Sequence, residues 1–133
     1  MIYLTLYNPQ VILGSVWEIE GTDEFVAWYR TCSDEDQEAI NGAVAKLEEH
    51  GPSLGRPLVD TLSHTRLSNL KELRPPGTFI RILFAFDPRR AAILLIGGNK
   101  RDRWSKWYRE YIPMAERLYE RYLDELRQEG LLE

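Results

Sequence analysis

The chain is poor in cysteine and histidine and has no long apolar run, and each shortage excludes something. A single thiol, Cys32, cannot close an intramolecular disulfide, and it suits a reducing compartment such as the cytoplasm. The two histidines, His50 and His64, do not stand at ligand spacing with that cysteine, so no metal and no cofactor is expected. The longest apolar stretch, Ala91–Ile96, has strand length and falls far short of the roughly 18 residues a membrane span needs. The opening Met1-Ile2-Tyr3-Leu4 lacks the basic region and small-residue cleavage site of a signal peptide. No glycine-flanked serine signals acyl transfer, and no glycine-rich loop carries the lysine and hydroxyl of a nucleotide hydrolase. No repeat, low-complexity tract or linker divides the 133 residues, so one domain over 1–133 is expected.

What is present is an ordinary globular composition, 44% hydrophobic and 29% charged, in a chain long enough to bury its own core. The net charge of -4 speaks against a nucleic-acid binder, but the charge is segregated. Residues 1–55 carry 10 acidic and 2 basic side chains, residues 56–111 carry 5 acidic and 12 basic, and residues 112–133 carry 6 acidic and 3 basic. A basic middle between acidic ends can present one surface that attracts phosphate. The alternative is that the blocks interleave in space and cancel.

Apolar and acidic residues alternate over Val16–Glu20, a short strand, while residues 1–15 are an extra edge strand or a loose arm. Thr22 or Asp23 caps a helix with Phe25, Trp28 and Tyr29 on one face. Ser33, with Asp36 three positions on, caps a second helix that buries Ile40, Val44 and Leu47 and stops at Gly51-Pro52. An irregular loop follows to about Leu67. The period then becomes two: Leu70–Arg74, Phe79–Asp87 and Ala91–Ile96 predict three strands of an antiparallel meander, the last central because it is apolar throughout. Gly97-Gly98-Asn99 opens a charged, tryptophan-rich loop. Pro113, suited to a first helical position, starts a C-terminal helix over 112–133. The fold class is therefore α+β: a small antiparallel meander with an N-terminal helical hairpin and a C-terminal helix.

Alternation places Leu70, Glu72 and Arg74 on one strand face and Lys71 and Leu73 on the other. Arg81 lies opposite the apolar face of Ile80, Ile82, Phe84 and Phe86. In simple register, Arg74 and Arg81 both point away from the helical hairpin. Two planar guanidiniums on one sheet face suit a phosphodiester, unless they are surface arginines bridged to Glu72 and Asp87. Lys100 and Arg101 arrive at the same end of the sheet behind two glycines. Beyond them Arg103, Trp104, Lys106, Trp107, Tyr108, Arg109 and Tyr111 interleave cations with aromatics, a pattern that stacks unpaired bases or, at helical spacing, packs a core. Tyr108 can exchange a proton at a cleft edge, and His64 is either an acid or base at the site or a solvated loop histidine.

Taken together, Gly51-Pro52-Ser53-Leu54-Gly55-Arg56-Pro57, Asn69–Arg74, Arg81–Asp87, Ala92–Lys100, Trp107-Tyr108, Ile112-Pro113 and Ala115-Glu116 resemble, in order and spacing, the HigB-like, phage-derived branch of the RelE/ParE toxin superfamily. The likeness covers about residues 16–127. It implies a RelE-like fold and the toxin of a type II toxin–antitoxin pair, neutralised by a helix-turn-helix antitoxin encoded next to it. RelE-like members cut mRNA on the ribosome without a metal, whereas ParE-like members bind DNA gyrase and cut nothing. The resemblance matches Arg74, Arg81, Lys100 with Arg101, and Trp107 or Tyr108 to the family's pattern; with His64 from the loop, Arg74, Arg81, Lys100, Tyr108 and His64 are the candidate catalytic residues. Lys71, Arg101, Arg103, Lys106 and Trp107 are the candidate RNA contacts. The chain departs from the best-known members in carrying Leu70 and Glu72 where lysines face the substrate, which takes positive charge from the site and leaves room for a toxin homologue that only binds antitoxin.

Overall fold

The fold is seen in a computed structural model of the chain, which describes residues 2–3 and 17–132. Its centre is a six-stranded sheet of order β1-β2-β6-β5-β4-β3. The strands are β1 (Ile2–Tyr3), β2 (Ile19–Gly21), β3 (Val59–Thr61), β4 (Lys71–Leu73), β5 (Ile80–Phe86) and β6 (Ala92–Asn99). The expected meander is present, since β4, β5 and β6 pair antiparallel in sequence. Two strands enlarge it. β3 forms inside the stretch expected to be irregular and pairs antiparallel with β4. β2 lies parallel to β6, with Ile19 beside Ala92, and makes the sheet mixed. At the N-terminus Ile2–Tyr3 does add an edge strand on β2, while the remainder of the expected N-terminal arm falls outside the described residues.

Helix α1 (Asp23–Thr31) and helix α2 (Asp34–His50) form the expected hairpin. Thr22 Oγ1 accepts from the Phe25 amide at 3.0 Å and Ser33 Oγ accepts from the Asp36 amide at 3.1 Å, satisfying amides that have no helical partner. Gly51 ends α2 at φ 56, and a Cβ there would stand 2.3 Å from the Trp17 ring, so both backbone and space demand glycine. The hairpin packs Phe25, Ile40, Val44 and Leu47 onto Ile80, Ile82 and Phe84 of β5.

The opposite face is not bare. Helix α3 (Trp104–Gln128) lies across it and buries Trp107, Ala115, Leu118, Tyr119, Tyr122 and Leu126 against Leu83, Ala85, Ile93 and Leu95. This corrects the expected start at residue 112: Pro113 sits inside the helix, exposed, and its missing N–H leaves the Arg109 carbonyl without its helical donor. The expected loop at Gly97-Gly98-Asn99 is also corrected, because β6 runs through all three residues. They are strand because bulky rings lie on both faces. A Cβ on Gly97 would meet the Trp28 ring at 2.2 Å, and one on Gly98 would meet Trp107 Nε1 at 2.6 Å. Near its far end α3 is tied down by Tyr122, whose hydroxyl donates to Asp87 Oδ2 at 2.7 Å and accepts from Arg89 at 2.7 Å.

Candidate functional site

At the end of the sheet where β4, β5 and β6 meet the start of α3, charged side chains gather around one buried carboxylate. Glu72 is 2% exposed. Its register partner on β5 is Leu83, which puts it on the α3 face. Arg74 donates to Glu72 Oε2 through Nε at 3.2 Å and Nη2 at 2.8 Å, and through Nη2 to Asp60 Oδ2 at 3.1 Å. From α3, Tyr108 donates its hydroxyl to Glu72 Oε1 at 2.7 Å. Arg81 places Nε 3.7 Å from the same oxygen. These donors satisfy the oxygens of a carboxylate that would be costly to bury alone.

Lys100 completes the group. It is 6% exposed, and its Nζ donates to Tyr108 Oη at 3.3 Å while lying over the Trp104 ring at 4.4 Å. Burial, helped by the charge of Arg81, holds this amine below the ordinary lysine value. Burial first, and then the bond to Glu72, push the Tyr108 phenol up to about 12, so at neutral pH it is a proton-bearing donor. Arg81 spends Nη1 on the Ile80 carbonyl at 2.7 Å, and its buried Nε has no hydrogen-bond partner among the described residues. An unanswered cationic donor beside a carboxylate is a position at which an anionic oxygen gains a bond.

Beside the cluster opens a cavity of about 670 Å³, whose walls include Glu72, Arg74, Tyr108, Arg109, Pro113 and His64. Its rim loop is pinned to α3 by Glu116, which accepts from Thr65 Oγ1 and from the Arg66 amide, both at 2.7 Å. His64 is exposed on that rim in a left-handed backbone conformation, φ 58. Among the described residues, no three histidine, cysteine or carboxylate side chains gather to hold a metal ion.

The structure therefore brings Arg74, Arg81, Lys100 and Tyr108 together and sets His64 on the cavity wall. The candidate RNA contacts scatter. Lys71 lies on the other face of β4 and donates to Thr61 Oγ1 at 3.0 Å. Arg103 is paired with Glu110, and Lys106 is exposed on α3. Arg101 is exposed and covers the Phe79 ring at 4.9 Å. Trp107 is corrected: it is 0% exposed, stacked on Tyr111 at 4.5 Å, and has no face left for a base. Glu72 is the residue that sequence reasoning undervalued. Alternation puts it between Leu70 and Arg74 on the site's own face, and the bridge to Arg74 that was the alternative to a free arginine pair is present at 2.8 Å.

Comparison with known proteins gives the family. Residues 27–120 match the family described as phage-derived protein Gp49-like. Over 96 residues, 72% of this chain and 84% of the relative, the sequence is 48% identical to a Mycobacterium tuberculosis protein named "Putative toxin HigB3". It is 42% identical over 126 residues, 88% of this chain, to "Putative toxin HigB2" of the same organism, of whose length it spans 63%. Among solved structures, the RelB–RelE antitoxin–toxin complex from Methanococcus jannaschii aligns at TM-score 0.49 and 12% identity, covering 65% of this chain and 95% of that one. With the matched segment running from α1 into α3, through every strand of the meander, the chain belongs to the phage-derived Gp49-like family, and the relatives it resembles there bear the names of HigB toxins.

Proposed function

We propose that the protein is the toxin of a type II toxin–antitoxin pair, that it cuts translated mRNA in the cytoplasm, and that a cognate antitoxin neutralises it. The supporting observation is the convergence of Arg74, Arg81, Lys100 and Tyr108 beside an open cavity, with one buried arginine donor unanswered. In the reaction, the RNA 2′-oxygen attacks the adjacent phosphorus as its proton leaves, and the bond from phosphorus to the 5′-oxygen breaks. The products are a 2′,3′-cyclic phosphate and a 5′-hydroxyl, the latter made by protonating the leaving oxygen. Arg81 and Arg74 stabilise charge on the phosphoryl oxygens. Lys100, its amine held low by burial, is suited to exchange protons, and the Lys100–Tyr108–Glu72 chain of hydrogen bonds gives a proton a route. Glu72 holds Tyr108 and Arg74 in place, and His64 stands ready at the rim.

Expression in bacteria with mapping of transcript 5′ ends tests this. Growth arrest with new 5′-hydroxyl ends inside translated messages is expected, and Arg81→Ala is expected to abolish both while remaining folded. An equally toxic Arg81→Ala would sink the assignment. Arrest without new ends would redirect attention to gyrase. A second reading has one observation in its favour: Glu72 and Asp60 already engage Nε and Nη2 of Arg74, as they would in a homologue that binds antitoxin and cuts nothing. Absence of arrest from folded protein would support it.

A further inference from the structure

Two aromatic side chains stand exposed beside the reactive cluster. Trp104 is 60% exposed and Phe79 38%, a large apolar area for a surface that should favour water. They are anchored to one residue. The Lys100 amide donates to the Phe79 carbonyl at 3.0 Å, and the Trp104 amide donates to the Lys100 carbonyl at 3.2 Å. Trp104 begins α3 at φ 29, in a region that a bulky side chain rarely adopts, with no side-chain cap at Arg103 to compensate. Each ring also carries a cation: Lys100 Nζ lies 4.4 Å from the Trp104 centroid and Arg101 lies 4.9 Å from that of Phe79.

Exposed rings flanked by cations that make no ion pair among the described residues suit a ligand that is flat, apolar on its faces and anionic along its backbone. Lys100 touches the indole and Tyr108 Oη at once, so a base on Trp104 has its phosphate next to the cluster. We propose that Trp104, seconded by Phe79, is a stacking platform for an unpaired base of single-stranded RNA that flanks the bond being cut. This rests on the nuclease reading for its substrate. It assigns the stacking role to Trp104 in place of the buried Trp107.

The test uses binding without cleavage. A twelve-nucleotide single-stranded RNA with 2′-O-methyl groups throughout cannot supply the attacking hydroxyl, and its affinity is measured for wild type, Trp104→Ala, Trp104→Tyr and Phe79→Ala. Stacking on one aromatic contributes enough that Trp104→Ala should weaken binding about tenfold, with Trp104→Tyr close to wild type. A matched oligonucleotide series in which each base in turn is replaced by an abasic site adds a readout that a merely structural role would not move. One abasic position should lower wild-type affinity to the Trp104→Ala level and leave Trp104→Ala itself unchanged. Equal affinity of wild type and Trp104→Ala, or no binding by wild type, overturns the platform whatever happens to transcripts in cells. RNA binding unaffected by Trp104→Ala, with loss of a co-expressed neighbour-encoded protein, overturns it in favour of an antitoxin surface. Trp104-dependent binding in a protein that leaves transcripts uncut upholds the platform and removes the nuclease reading alone.

Discussion

Two glutamates are buried to nearly the same degree in opposite surroundings. Glu72, 2% exposed, is answered by Arg74 and Tyr108, and Arg81 stands close by. Glu48 on α2, 4% exposed, has an Oε1 without any partner among the described residues, and burial pushes its carboxyl up to about 7. The unfolded chain ionises this group near 4.5, so between the two values the folded protein binds more protons. Stability contributed by this group is therefore greatest below about 4.5, falls as pH rises through about 7, and stays lost above it. Glu48→Gln should raise stability at pH 8 by up to about 3 kcal/mol, and change little at pH 4. Chemical denaturation midpoints at the two pH values check this, and a gain independent of pH would refute it. For Glu72, by contrast, removing the charge strands Arg74, whose pairing is part of the site.

At the scale of elements, the junction of β6 and α3 carries both the site and the main departures from expectation. Gly98→Ala should cost about 1–3 kcal/mol in a denaturation experiment, because a Cβ at 2.6 Å from Trp107 Nε1 forces a fully buried ring to move. An unchanged midpoint would mean that the ring has room. The caps at Thr22 and Ser33, and the alternation in β4 and β5, were legible because they are local signals a few residues long. The start of α3 was not: Arg103 makes no side-chain cap, while Pro113 mimics a first-turn proline nine residues too late. With the start at Trp104, Trp107, Tyr111, Ala115 and Tyr122 fall on one stripe, and the burial of Trp107 follows. The three residues of β3 are too few for a period to show, and the β2–β6 pairing joins segments some seventy residues apart. The cluster itself could be read from alternation, since Arg74 and Arg81 do share a face. What alternation could not supply was α3 laid over that face, which turns an open basic surface into a walled cavity.

Across the whole molecule the segregated charge partly folds back on itself. Arg66 reaches Glu116 and Glu120, Arg89 reaches Glu20, and Arg121 reaches Glu24, so acidic and basic blocks interleave over part of the surface. Among the described residues, Lys100, Arg101, Lys106 and Arg109 make no ion pair, and they lie along the sheet end and the first turns of α3. A single strand held by about four cations should show a log affinity against log salt slope near -3. Engagement of all 12 basic residues of the middle segment would give about -8. Titration of the 2′-O-methyl oligonucleotide with potassium chloride separates the two, and a slope beyond about -6 would mean that the ion pairs open on binding.

The parallel seat of β2 beside β6 also sets an order of assembly. β2 leaves the ribosome before the strand it lies against, which emerges some seventy residues later, and Tyr108 later still. Lys100 and Tyr108 meet only after both β6 and the first turns of α3 have been made. Between the making of Arg81 and that of Tyr108, a nascent chain therefore carries both arginines beside Glu72 without Lys100 and Tyr108 in place. A product that stops anywhere before Tyr108 holds both arginines without the hydrogen-bonded chain from Lys100 through Tyr108 to Glu72.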